Sequence, residues 1–247
     1  MKMEYLKKFQ KELRKLADRE KASILARFFK TGKGEYGEGD KFLGATVPKQ
    51  RELIKGFLDL GLNDLDKLLK SVWHEERLCA LLILVKQYEA ASKSNDAARR
   101  GEIFKFYLAH TARINNWDLV DLSAPNIAGD YLWRLKTDGR VKETGAILGK
   151  LAGSRSLWKR RIALLATFTF IRAGIFGETL KLAGKFLNDP EPLIHKATGW
   201  MLREVGKRDM AVLWGFLDKY GMKMPRTALR YAIERMGEKE RKRWMKK

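Results

Sequence analysis

The sequence has little of what a disulfide or metal framework needs. It contains one cysteine, Cys79, in 247 residues, so neither a disulfide nor a cysteine-based zinc site is expected. The three histidines, His74, His110 and His195, are scattered without the spacing of metal ligands. We therefore expect no metal and no other cofactor.

Long apolar runs are also missing. The longest, residues 78–85 and 162–171, are far shorter than the roughly 20 residues of a membrane span. Residues 1–15 interleave charged with apolar side chains, so they do not resemble a signal peptide. With a lone cysteine expected to remain reduced inside a core, these absences predict a cytoplasmic protein without a membrane partner.

Positive charge is abundant. The chain has 51 lysines and arginines against 30 acidic residues, a formal net charge of +21. Because 45% of the residues are hydrophobic, this excess belongs to a folded protein and not to a disordered tail. Such a charge predicts a polyanionic partner, with nucleic acid first and an anionic membrane surface second.

Apolar residues recur with helical spacing along the whole chain, and no strand pattern is evident. Prolines and glycines fall near the expected helix boundaries. We predict an all-α, HEAT-like helical-repeat superhelix, an α-solenoid with a concave basic face, in a single domain of residues 1–247. The predicted helices after the first span residues 48–60, 64–71, 74–91, 97–112, 117–136, 140–152, 156–173, 176–187, 190–205, 207–220 and 225–236.

The segment NNWDLVD at residues 115–121 has the pattern of a capped helix start. Its asparagines are N-cap candidates. Trp117 and Asp121 are four residues apart, so a helix places them on one face. A π-face beside a carboxylate suits a cationic, sugar-like species, although a packed tryptophan and a helix-dipole aspartate would give the same pattern.

The helix expected after the Asp189-Pro190-Glu191 start signal has two faces. An apolar face predicts core packing at Leu193, Ile194, Ala197, Met201 and Val205. A second stripe combines Trp200 with Lys196, Arg203 and Lys207. Two interpretations stay open: Trp200 packs against the next repeat behind a solvated rim, or it contacts nucleic acid among phosphate-binding cations.

Residues 150–172 contain six basic side chains and no acid, among them Lys159 and Arg160. Arg161 and Arg172 share one stripe of an otherwise apolar helix. Each must either extend its guanidinium to solvent or meet an anion, and bidentate capture of a phosphate is the functional interpretation.

Four segments in order resemble the bacterial DNA alkylation repair family of AlkD type. The resemblance covers residues 36 to 220 approximately and is carried by NNWDLVD at 115–121, LWKRRIA at 157–163, KATGWMLRE at 196–204 and, more weakly, FLGATVP at 42–48. It implies a HEAT-like DNA glycosylase that hydrolyses the N-glycosidic bond of cationic alkylated purines, such as 3-methyladenine and 7-methylguanine, in double-stranded DNA.

The resemblance also implies residue roles. Asp121 takes the place of the catalytic aspartate, Trp117 and Trp200 of the two site tryptophans, and Arg161 of the lesion-proximal arginine. Tyr36 matches a loop tyrosine, and Thr46 stands where relatives can carry a DNA-contacting glutamine. With the cations above, the predicted DNA-binding set is Tyr36, Thr46, Lys159, Arg160, Arg172, Lys196, Arg203 and Lys207.

The chemistry implied is that of a monofunctional enzyme that leaves an abasic site. A cationic purine is a good leaving group, so a carboxylate that stabilises the oxocarbenium-like sugar suffices without a general acid. The family contacts the sugar–phosphate backbone and is not expected to enclose the base in a pocket. We expect a nucleoid-associated monomer; the alternatives are a non-catalytic HEAT-like module that binds branched or damaged DNA, and a scaffold for an acidic protein.

Overall fold

The computed structural model describes residues 2–246, and they form helices joined by short turns. The all-α prediction is confirmed, because the described residues form no strand beyond an isolated bridge between Lys41 and Trp73. The chain divides between Ser123 and Ala124 into two compact units, whereas the prediction of one domain stays a prediction. None of the described helices is both long and apolar enough to cross a membrane.

The first unit is built around one helix that is buried on all sides. The central helix, α5, has every side chain from Leu78 to Val85 buried, which agrees with its uninterrupted apolar run. Helices α3, α4, α6 and α7 pack on α5. The helices of this unit are α1 (Lys2–Lys15), α2 (Arg19–Phe28), α3 (Val47–Leu53) with a 3₁₀ turn (Ile54–Phe57), α4 (Leu62–Leu69), α5 (His74–Lys93), α6 (Ala97–Ala109) and α7 (Trp117–Ser123).

The loop before α3 is tied to its surroundings by backbone contacts. Leu43 O accepts a hydrogen bond from Asp18 N at 2.8 Å. Gly44 has φ +86°, and a Cβ there would lie 2.1 Å from Asp18 O. Only glycine meets both demands, so this residue lets the loop pass directly against the start of α2.

The second unit is likewise built around a buried central helix, α10 (Leu157–Arg172). This helix is buried from Arg161 to Thr167 and packs on α12, which packs in turn on α14. The helices are a π-helical turn (Pro125–Gly129), α8 (Asp130–Thr137), α9 (Val141–Ala152), α10 (Leu157–Arg172), α11 (Gly177–Lys185), a 3₁₀ turn (Phe186–Asn188), α12 (Pro192–Arg208), α13 (Met210–Tyr220), a 3₁₀ turn (Gly221–Lys223), α14 (Arg226–Ala232) and α15 (Glu238–Lys246).

Proline explains two of the places where the helices depart from their predicted boundaries. The predicted helix 117–136 is interrupted, because Pro125 has no N–H to continue the α-helical ladder and a π-helical turn follows. The helix predicted from residue 190 begins at Pro192. Glu191 precedes that proline and is extended, with φ −89° and ψ 119°, as steric clash with a proline ring demands.

Candidate functional site

The start of α7 follows its sequence pattern. Val120 N donates to Asn116 O at 3.1 Å, which makes Asn116 the capping residue, and the Asn116 side chain accepts a hydrogen bond from Trp117 N at 2.8 Å. The predicted cap is confirmed. Trp117 and Asp121 stand one helical turn apart on α7, and both side chains are partly exposed.

Aromatic neighbours hold the Trp117 ring. Phe29 stacks on it with centroids 5.3 Å apart and planes inclined by 24°, and Phe28 meets it edge-on at 5.9 Å. Tyr36 shares a side-chain hydrogen bond with the indole. Burial raises the pKa of Tyr36, while that hydrogen bond opposes the shift. The structure thus brings two predicted site residues, Tyr36 and Trp117, into direct contact.

Asp118, the residue after Trp117, is held by a series of hydrogen-bonded charged side chains that is hereafter called the His74 chain. Asp118 Oδ2 lies 2.7 Å from His74 Nε2, and His74 Nδ1 lies 3.3 Å from Asp40 Oδ2. Arg77 pairs with the same Asp40 oxygen at 2.5 Å. Burial alone would lower the pKa of His74, but hydrogen bonds to Asp118 and Asp40 outweigh it, so the pKa is raised. The chain fixes α7 to the start of α5.

Asp121 lies within electrostatic reach of a buried hydroxyl pair. Tyr107 and Ser123 have hydroxyl oxygens 3.0 Å apart, and Ser123 donates onward to Leu119 O. Burial raises the pKa of Tyr107, and the negative charge of Asp121 adds to the rise. The Tyr107 hydroxyl is therefore held protonated as a donor, which links α6 to the end of α7.

In the second unit, Trp200 lies next to Phe168, which in turn contacts the guanidinium of Arg172. Its Nε1 donates to Glu204 Oε1 at 3.2 Å, and its ring centroid lies 6.0 Å from that of Phe168. Arg172 stacks its guanidinium over Phe168 at 4.3 Å. Trp200 is partly exposed. Its helix buries four of the five predicted core residues, Ile194, Ala197, Met201 and Val205, whereas Leu193 is half-buried.

Arg161 and Arg160 are both engaged within the second unit. Arg161 is 5% exposed and donates from Nη1 to Leu193 O at 2.6 Å. Arg160 donates two hydrogen bonds to the Asp189 carboxylate, from Nε at 2.7 Å and from Nη2 at 3.2 Å. It also donates to the carbonyls of Ser154 and Arg155. This guanidinium is occupied inside the protein, and its role as a DNA contact stays a prediction.

The other predicted cations differ in their partners. Arg203 pairs with Glu234, and Lys207 lies 2.6 Å from Glu204. By contrast, no carboxylate of the described chain lies within 4.0 Å of the charged ends of three cations, Lys159, Arg172 and Lys196. In the first unit, Thr46 precedes α3, partly exposed and without a capping side-chain hydrogen bond.

Sequence reasoning missed several residues that shape these surroundings. Phe28 and Phe29 support Trp117, and His74 supports Asp118, from segments more than 40 positions away, so no local pattern signals them. Phe168 and Glu204 did have a signal. Each stands four residues from a predicted site residue, Arg172 and Trp200 respectively. Across residues 2–246 no group of three or more potential His, Cys, Asp or Glu metal ligands occurs.

Comparison with known proteins identifies the class. A family model for DNA alkylation repair enzymes matches residues 9–236, so the chain belongs to the DNA alkylation repair enzyme family. A solved structure described as a predicted DNA alkylation repair enzyme from Enterococcus faecalis is similar, with a TM-score of 0.68 and 16% identity over 90% of this chain and 97% of that chain. At this identity the likeness concerns the fold. No match was found among curated proteins.

Membership in the family also relates the high positive charge of the chain to its substrate. The family is one of DNA alkylation repair enzymes, which implies an enzyme role and a DNA substrate. An excess of 21 positive charges accords with that substrate, because DNA carries a phosphate charge at each nucleotide.

Proposed function

We propose that this protein is a monofunctional DNA glycosylase. Its substrate is a positively charged alkylated purine, such as 3-methyladenine or 7-methylguanine, in double-stranded DNA. The observation that carries the proposal is on α7, where Asp121 stands one turn from a Trp117 whose ring is held by Phe29 and Tyr36. The family supplies the DNA substrate, and this pair supplies the chemistry.

In the proposed reaction a water oxygen bonds to C1′ of the deoxyribose while the bond from C1′ to the purine nitrogen breaks. The bonding electrons leave with the purine and cancel its positive charge, so no acid has to protonate the leaving group. The water proton passes to Asp121 or to solvent, and an abasic site remains. Asp121 stabilises the oxocarbenium-like sugar and orients the water.

The two tryptophans are proposed to pack on the sugar–phosphate backbone. An indole face favours a developing cation, an effect of about 0.5–2 kcal/mol. Trp117 is suited to this role because its aromatic supports fix the orientation of the ring in advance. Trp200 has Glu204 on its N–H and Phe168 at its side, and Arg161 is proposed to face a phosphate near the lesion.

The proposal is tested by release of free bases from methylated duplex DNA. Wild-type protein should release 3-methyladenine and 7-methylguanine, and Asp121→Asn should lower the single-turnover rate at least about a hundredfold, as loss of a transition-state charge does. DNA binding should stay near that of the wild type. Asp59→Asn, which changes the same charge at an exposed position, is the control.

Trp200→Ala is a second variant, expected to weaken both DNA binding and the rate. Undiminished release by Asp121→Asn would remove Asp121 from the chemistry. Salt-sensitive binding without any release by the wild type would instead support the non-catalytic DNA-binding alternative, since phosphate contacts alone give a steep salt dependence.

A further inference from the structure

Helices α12 and α14 of the second unit meet at a glycine. A Cβ at Gly199 of α12 would lie 2.3 Å from Ala228 O and 2.4 Å from the Cβ of Tyr231, both on α14. Because atoms do not approach one another so closely, only glycine allows the two helices to touch at this point. Side chains beside this contact line a groove of about 350 Å³, which we call the α12–α14 groove.

Four hydrogen-bond donors line the α12–α14 groove. Lys196 comes from α12, and Thr227, Arg230 and Tyr231 come from α14. Arg230 and Tyr231 are three and four positions after Thr227, so one side of α14 presents all three to the groove. Two cations and two hydroxyls can donate together to several oxygens of one phosphate group.

Within residues 2–246, none of these four side chains has a hydrogen-bond or ion-pair partner. No carboxylate of the described residues lies within 4.0 Å of the charged ends of Lys196 and Arg230. Lys196, Arg230 and Tyr231 are also exposed. The donors of the groove are therefore available to a ligand.

The carboxylate among the lining residues does not cancel this charge. Glu234, which follows α14, forms an ion pair with Arg203 of α12. Its negative charge is compensated within that pair, whereas the positive charges of Lys196 and Arg230 are not compensated by any described carboxylate. The electrostatic field in the groove therefore favours an anion.

The groove adjoins the tryptophan of the second unit. Lys196 stands one helical turn before Trp200 on α12, and Gly199, at the contact with α14, is the residue before it. Trp200 is proposed above to pack on the sugar–phosphate backbone. Each deoxyribose within a strand is flanked by two phosphates, so a strand that packs on Trp200 brings a phosphate toward the groove.

We propose that the α12–α14 groove binds one backbone phosphate of duplex DNA. The inference rests on the proposed function and deepens it, because it adds α14, from which the predicted DNA-binding set names no residue, to the DNA interface. Lys196 and Arg230 supply the charge, and the hydroxyls of Thr227 and Tyr231 supply neutral donors. A phosphate held in this way positions the strand along α12 without reading a base.

The test is the salt dependence of binding to an unmodified duplex, from which no base is released during the measurement. The double variant Lys196→Ala/Arg230→Ala should lower the slope of log affinity against log salt by about 0.9, because one phosphate contact is lost. Each single variant should lose only part of that slope, since the other cation still faces the phosphate. Both side chains are exposed, so the variants should keep the wild-type melting temperature.

The double variant Lys142→Ala/Lys181→Ala is the matched control. It removes the same charge from exposed positions of α9 and α11 that do not line the groove, and the slope should stay near that of the wild type. An equal loss in the control would overturn the inference, and so would an unchanged slope in the groove variant. A loss near 1.8 in the groove variant would overturn it as well, because Lys196 and Arg230 would then bind separate phosphates.

Tyr231→Phe tests the groove without a change of charge. Loss of the hydroxyl should weaken DNA binding at least about twofold while the salt slope stays that of the wild type. Tyr220→Phe is the control, because Tyr220 is a partly exposed tyrosine of α13 that does not line the groove. Wild-type affinity in Tyr231→Phe would overturn a phosphate site built from these donors.

Inorganic phosphate distinguishes a DNA site from a site for a small free anion. If Lys196→Ala/Arg230→Ala abolishes calorimetric binding of inorganic phosphate but leaves the DNA salt slope unchanged, the groove serves a free anion and the inference is overturned.

The base-release assay keeps this inference separate from the proposed function. Release of 7-methylguanine by the wild type, together with an unchanged salt slope in Lys196→Ala/Arg230→Ala, would leave the glycosylase in place and remove the groove from the DNA interface. A slope loss of about 0.9 without base release by the wild type would do the opposite.

Discussion

Trp117 lies nearly parallel to Phe29, with ring centroids 5.3 Å apart and a 24° angle between the planes. Phe29 is 7% exposed, so this support cannot move away without disturbing the packing around it. The orientation of the partly exposed indole is thus set by a buried neighbour. Preorganisation of this kind lowers the cost of placing a side chain against a transition state.

Replacing Phe29 by leucine should slow base release while DNA affinity changes little. Leucine keeps most of the apolar volume but removes the stacked ring, and an aromatic pair contributes about 0.5–1.5 kcal/mol, so we expect a rate loss of about 2- to 12-fold. Single-turnover kinetics on methylated duplex DNA measures it. Phe57→Leu is the control, because Phe57 is similarly buried and contacts the rings of Tyr5 and Phe9 instead.

Tyr36→Phe should lower the same rate about 2- to 12-fold. The substitution leaves the Trp117 indole without the hydroxyl that shares its hydrogen bond, and a neutral hydrogen bond contributes about 0.5–1.5 kcal/mol. Tyr5→Phe also loses one hydroxyl hydrogen bond, to Gly56 O at 2.6 Å, and serves as the control. A rate equal to the wild type in Tyr36→Phe would show that the hydroxyl does not orient the ring.

The His74 chain should make stability depend on pH with a defined sign. Because the pKa of His74 is raised in the folded protein, its contribution is fully present below the unfolded pKa of about 6.5 and is lost as pH rises through the folded value. The stability gap between wild type and His74→Gln should therefore be largest near pH 5.5 and smaller near pH 9. Urea unfolding at both values measures the gap.

Asp40→Asn gives an independent check of that chain. Burial would raise the pKa of Asp40, but hydrogen bonds and charges from His74 and Arg77 lower it, so its contribution is present above the unfolded pKa of about 3.9 and falls away in acid. A gap between wild type and His74→Gln that widens toward pH 9 would contradict the assignment of a charged His74.

Lys159 and Arg160 are neighbours in sequence, but their alanine variants should affect different properties, DNA binding for Lys159 and stability for Arg160. Lys159→Ala should weaken DNA binding and reduce the slope of log affinity against log salt by about one, because one phosphate contact is lost. Arg160→Ala should cost about 3 kcal/mol or more of unfolding free energy, since the removal leaves Asp189, 6% exposed, without its partner. Salt-dependent binding and denaturant unfolding separate the two.

The sequence predicted those features that are encoded locally. The Asn116 cap, the shared face of Trp117 and Asp121, and the buried face of α12 all follow from spacing within one helix. Burial of Cys79 in α5 also agrees with its apolar surroundings. Local patterns were wrong where adjacent prolines competed, as with Pro190 and Pro192.

Long-range partners were not predictable from the same patterns. Arg161 and Arg172 share a stripe of α10, yet Arg161 is buried against Leu193 O while Arg172 lies exposed over Phe168. The difference comes from what packs on each end of the helix. His74 and Asp118 are 44 positions apart and have no common motif, so their pairing emerges only when α5 and α7 are packed together.

The absence of buried side chains in α2 determines how well this helix tolerates substitution. Exposed positions usually tolerate substitution at a cost within about 0.5 kcal/mol, so mutations at the exposed positions of this helix, such as Ile24 and Phe28, are nearly neutral for folding. Together with Phe42 and Leu78, the same helix lines a cavity of about 350 Å³ within the first unit. Substitutions at Ile24 and Phe28 can therefore reshape the wall of this cavity with little effect on folding, whereas changes at the buried positions of α5 and α7 would disturb the core.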